Sequence, residues 1–95
     1  RKVLKSWPDF PAVYNNLGYA LLRLHEFDEA IVQIRHALRL DPDYAQAHYN
    51  LGVALKEQGR LDLAHEHLHK AVQLDPKLAS AVAQLRIDGG HGLPK

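Results

Sequence analysis

The chain has no cysteine. Disulfide scaffolds and thiolate zinc sites are therefore excluded, while the redox compartment stays open. Net charge is almost missing too. Twelve lysines and arginines stand against 11 acidic residues, which gives no reason to propose nucleic acid or an anionic membrane as partner. No apolar run approaches the roughly 20 residues that span a bilayer, and no signal-peptide core is visible. Because it opens on Arg1 rather than methionine, the sequence is expected to be a piece of something longer. Ninety-five residues supply one modest core, too little for a catalytic cleft walled by two subdomains.

What is present is a repeat. An offset of 34 residues aligns "NLGYALL" from Asn16 with "NLGVALK" from Asn50, and "LDPDYA" from Leu40 with "LDPKLA" from Leu74. Each unit reads as two helices. Tyr14, Leu17, Leu21 and Leu24 recur at helical steps, and after a break at "HEFD" so do Ala30, Ile31, Ile34, Ala37 and Leu38. Asp28 and Asp62 are expected to cap the second helix of each unit. Gly59 suits a left-handed turn between helices, whereas His25, at the same place in the first unit, predicts a strained or differently shaped turn. Asp41-Pro42 and Asp75-Pro76 should stop the second helices, because proline has no N–H and disfavours a helical residue before it.

The period of 34, the L-G pairs, Ala30 and Ala64, Ala37 and Ala71, and the closing prolines make the chain resemble the tetratricopeptide repeat family. The resemblance implies an all-α helix-turn-helix solenoid with two full repeats and flanking partial helices. Residues 1–10 would be the tail of a preceding repeat, 11–44 and 45–78 the two repeats, 79–88 a partial third repeat or capping helix, and 89–95 a flexible tail. Departures from the pattern are Tyr14 and His48 where tryptophan is common, His25 for glycine, and Arg86 where a third glycine would fall. Gly18 and Gly52 should let paired helices approach closely, while Ala37 and Ala71 admit the next unit. Because at least about three such units are usually needed for stability, the piece should be marginal or should bury Val3, Leu4, Trp7 and Phe10 against a second copy.

The family's groove, carried over residue by residue, is lined by Ala12, Asn15, Asn16, Tyr19, Leu22 and Arg23 in the first unit. Gln46, Tyr49, Asn50, Val53, Lys56 and Glu57 follow in the second, then Ser80, Ala83, Gln84 and Ile87. Asn16 and Asn50 match an asparagine ladder that holds extended peptides in repeat proteins such as the superhelix of O-linked N-acetylglucosamine transferases. An amide both donates and accepts, so it can pair with a peptide backbone whatever its side chains; the plainer alternative is that asparagine bonds within the repeat. Gln84 would continue the series. The clamp that some relatives close on chaperone C-termini is not matched, since its cations fall on Asn15, Ser80 and Gln84, which leave a carboxylate desolvated without compensation. The resemblance thus implies a protein-interaction module binding a protein or peptide, with no catalysis and no cofactor. The alternatives are self-association through terminal surfaces, or the targeting segment of a larger enzyme such as a glycosyltransferase.

One motif pulls the other way. "HEHLH", His65 to His69, has the H-E-x-x-H spacing of zinc peptidases. The repeat places it inside the second helix of an ordinary unit, with Leu68 facing the core, His65 at the edge of the buried stripe, and Glu66, His67 and His69 turning toward solvent. No third ligand is in view, so no metal site is assigned. Seven histidines also raise pH sensing, centred on His65 if it is partly buried, against the plainer reading that all are surface residues.

Overall fold

A computed structural model describes residues 9–85. The expectations placed on Val3, Leu4 and Trp7, on Arg86 and Ile87, and on the tail at 89–95 lie outside these residues. The described chain is all-α: α1 (Pro11–Arg23), α2 (Phe27–Leu40), α3 (Ala45–Glu57), α4 (Leu61–Leu74), a 3-10 turn (Pro76–Leu78) and α5 (Ala79–Leu85). Helices α1 and α2 form one antiparallel hairpin and α3 and α4 a second, with α3 packed against α2.

The helix ends follow from local chemistry. Pro11 opens α1, where its missing N–H costs nothing. Asp41 and Asp75 leave the helix in extended conformation, and each carboxylate accepts the backbone N–H two residues on, from Asp43 and Lys77, at 3.2 Å. Between paired helices the turns are left-handed, with φ of 64° at His25 and 79° at Gly59. Both close in the same way. Glu26 N–H donates to the Leu21 carbonyl and Arg60 N–H to the Leu55 carbonyl, each at 2.9 Å, so two orphan carbonyls are satisfied. The strain expected at His25 is therefore present, but the turn keeps the glycine shape. Replacing His25 by glycine should raise stability by about 0.5–1 kcal/mol, less what is lost with the ring stacked on Phe27 at 5.5 Å; a thermal melt that moves down instead would contradict this.

The capping expectation is corrected. Helix α2 starts at Phe27 with Glu26 as its cap and α4 at Leu61 with Arg60, and neither cap uses a side chain. Asp28 and Asp62 lie one residue inside, because the closing turn leads straight into the next helix. There their charge complements the helix N-terminus, and Asp28 also accepts a hydrogen bond from Gln58 of the next hairpin.

Small side chains set the packing. Ala30, Ala37, Ala47, Ala54, Ala64 and Ala71 are fully buried, together with Ile34, Leu51, Leu55 and Leu68. Gly18 lies under Ile34 and Gly52 under Leu68, and a methyl group added at either would meet that side chain at 2.5 Å. Two residues of the expected apolar stripe are not buried. Leu24 sits exposed at the C-cap of α1, and Leu17 is 46 % exposed although its equivalent Leu51 is 1 %. Leu51 faces the seam where α2 covers α3; no described helix covers the same face of α1. Phe10 is likewise exposed.

Candidate functional site

Helices α1 and α3 run side by side, and most of the anticipated binding residues meet between them. Asn15, Asn16, Tyr19, Gln46, Tyr49 and Asn50 line one cleft of about 400 Å³. Arg23, Val53, Lys56 and Gln84 lie outside it. Arg23 is tied to the cleft through Tyr19: its guanidinium donates to the Tyr19 hydroxyl at 3.2 Å and rests 5.8 Å from the ring centroid. Val53 is half-buried against the core, Lys56 pairs with Glu57 at 3.3 Å, and Gln84 is exposed on α5. Leu22, placed in the groove by the resemblance, belongs to the core.

The two repeat-equivalent asparagines are in different settings. Asn16 is exposed. Asn50 is 2 % exposed and donates through Nδ2 to Oδ1 of Asn15, itself 3 % exposed, at 2.9 Å. Asn15 in turn donates to the Tyr44 hydroxyl at 3.5 Å. This chain runs from the start of α3 to α1 and back, and fixes the distance between the helices that wall the cleft. Sequence reading missed the Asn15–Asn50 contact, though a spacing of one repeat plus one residue places the two on adjacent first helices. No buried side-chain nitrogen or oxygen among the described residues lacks a partner. Burial pushes the Tyr49 hydroxyl above its ordinary pKa, and the nearby Tyr19 adds to this, so both donor and acceptor functions of Tyr49 are kept at neutral pH.

The histidine motif is distributed differently from the expectation. His65, Glu66 and His69 are exposed, and His67 is the half-buried member. The reason is that His67 faces inward across the hairpin onto His48, with ring centroids 5.3 Å apart and Nδ1 to Nδ1 at 3.1 Å. His65 and His69 border a shallow hollow with Leu68, Val72 and Val82. No group of three or more His, Cys, Asp or Glu among the described residues is placed to hold a metal.

Burial lowers the His67 pKa below its usual value; His48 and Arg35 lower it further, and Glu66 opposes them. The unfolded chain therefore binds a proton more readily than the folded one. Stability should be complete above the unfolded pKa near 6.5 and decline as pH falls through and below it. Melting temperatures at pH 7.5 and 5.5 check this: the parent should melt lower at 5.5, and His67→Gln should lose most of the difference. Equal drops in both would assign the effect elsewhere.

Among the described residues no helix is long and apolar enough to cross a membrane. The profile of the tetratricopeptide repeat family matches residues 1–34 and 15–79, two overlapping stretches that together run over most of the chain. No curated protein gives a significant match.

Proposed function

The chain belongs to the tetratricopeptide repeat family, whose members are generally protein–protein interaction modules, and on that premise we propose that the face shared by α1 and α3 holds an extended peptide segment of a protein partner. The observation that carries this is the cleft between the two helices, in which three amides and two phenols of both repeats converge around Asn50. Asn16 and Gln46 are exposed and can each donate to and accept from a peptide backbone, so neither selects for a side chain. Asn15 and Asn50 hold the cleft floor, and Tyr19, clamped by Arg23, offers a flat apolar surface beside it. In this arrangement the asparagine ladder is split: Asn16 reads the guest, while Asn50 mainly positions the helices.

Peptide-array binding with variants tests this reading. Each backbone hydrogen bond contributes about 0.5–1.5 kcal/mol, so Asn16→Ala with Gln46→Ala should weaken binding by roughly tenfold or more without moving the thermal melt. Asn50→Ala should instead lower stability by about 1–3 kcal/mol, because the buried Asn15 oxygen loses its donor. Unchanged array binding in the Asn16, Gln46 double variant would remove the proposal.

A second reading is favoured by one observation. Val13 and Leu17 of α1 are exposed where their equivalents Ala47 and Leu51 are covered by α2, which is the surface self-association would use. Light scattering of the parent and of Leu17→Glu distinguishes it: a dimer that the variant dissociates supports self-association, and a monomer in both excludes it.

A further inference from the structure

On the side of the hairpins away from the Asn50 cleft, helices α2 and α4 flank a second hollow of about 510 Å³. Its walls are apolar, from Leu38, Pro42, Leu51 and Leu63, and its polar groups are Arg35, Arg39, His48 and His67. Among the described residues no carboxylate lines it. Arg35 and Arg39 are one helical turn apart on α2, both exposed, and among the described residues the sole ion pair is Lys56–Glu57. Two guanidiniums thus border an apolar hollow without an ion-pair partner among the described residues.

The imidazoles form an ordered pair. The Pro42 carbonyl can only accept, so the 2.8 Å contact with His48 Nε2 places a proton on that nitrogen. In the neutral pair His48 Nδ1 is then a bare acceptor, and His67 Nδ1–H donates to it at 3.1 Å. The nitrogen left for an incoming proton is His67 Nε2, and protonation there preserves both hydrogen bonds. The groups facing His67 are Arg35 from α2, His48 from α3 and Glu66 on α4 itself, with Arg39 bordering the same hollow.

We propose that this hollow is a second docking site, which takes an acidic side chain flanked by an aliphatic one on a protein partner. Complementary charge selects the carboxylate: the guanidiniums give it bidentate, charge-assisted hydrogen bonds, and the leucines cover the aliphatic neighbour. A phosphate can pair with the same guanidiniums, but it has no apolar body for the leucines to cover, so the apolar wall favours a carboxylate with an aliphatic neighbour. A carboxylate beside His67 offsets the burial and the cations that disfavour its protonation, so binding takes up a proton and strengthens as pH falls through and below the ordinary imidazole value near 6.5. The inference concerns a different surface from the α1–α3 groove and stands or falls separately.

Isothermal titration with a capped heptapeptide carrying one glutamate between two leucines tests the proposal. Its glutamine analogue, inorganic phosphate and phosphatidylserine vesicles are the comparisons. The glutamate peptide should bind roughly tenfold tighter than the glutamine one, and Arg35→Gln with Arg39→Gln should remove that advantage with the thermal melt unchanged. Affinity should rise between pH 7.5 and 5.5, and His67→Gln should flatten the rise. Equal affinity for the two peptides, binding indifferent to the arginine changes, or phosphate or vesicles competing as well as the peptide would each overturn the proposal.

Discussion

Leucine in place of Gly52 is expected to abolish cooperative folding of the chain or to leave it barely folded at room temperature. A Cβ there would lie 2.5 Å from Cγ and 2.6 Å from Cδ2 of Leu68, and 3.2 Å from the Ala64 carbonyl oxygen. The first two atoms sit at the branch of a side chain that is itself 1 % exposed, so it has nowhere to turn, and the third is backbone. Overpacking by one or two methylenes typically costs about 1–3 kcal/mol. Four extra carbons at a helix crossing exceed that, against a total stability of only about 5–15 kcal/mol for an ordinary domain. Urea denaturation followed by circular dichroism reads the effect, and Gly52→Ala should fall between parent and leucine variant. A leucine variant that unfolds together with the parent would mean that the two helices do not touch at this point.

The second large effect compares one position in two repeats. Leu51→Ala should cost about 2–5 kcal/mol, as for other buried leucines, while the equivalent Leu17→Ala should stay within roughly 0.5–1 kcal/mol of the parent, since an exposed side chain leaves no cavity. The two residues share sequence context and repeat position, Leu17 on α1 and Leu51 on α3; coverage by a preceding described helix distinguishes them, with Leu51 under α2. Matched denaturation curves measure both, and equal losses would show that the α1 face is covered as fully as the α3 face.

Much of this architecture was legible because periodicity reports directly on which residues must be small or apolar. The 34-residue repeat gave the helix pairs, the glycine contacts, the Asp-Pro stops and the left-handed turns. Helix caps were not legible to the residue. Asp28 has the right chemistry for a cap, but the turn after His25 closes two residues too early for it, with Glu26 at the cap position and Phe27 beginning the helix. Leu17 was misplaced for a different reason: a repeat unit's pattern records what its neighbour would cover, whether or not that neighbour stands there. The histidines show a third limit. Superposing the two repeats places His65 at the core edge, but burial on α4 depends on what α3 presents, and His48 presents an imidazole onto which His67 turns inward. At the α1–α3 cleft, residue types were legible and roles were not, since Asn16 and Asn50 occupy the same repeat position yet one is exposed and the other bonded to Asn15.

Stacking of helical hairpins through minimal side chains underlies both proposed binding surfaces, and nuclear Overhauser spectroscopy of the labelled protein tests it most directly. Strong cross-peaks are predicted from the Gly52 Hα protons to the Leu68 side chain and from the Gly18 Hα protons to Ile34, together with one between the side-chain amides of Asn15 and Asn50. Glycine Hα protons that show only sequential and intrahelical contacts, in a sample whose helices are otherwise formed, would contradict the account.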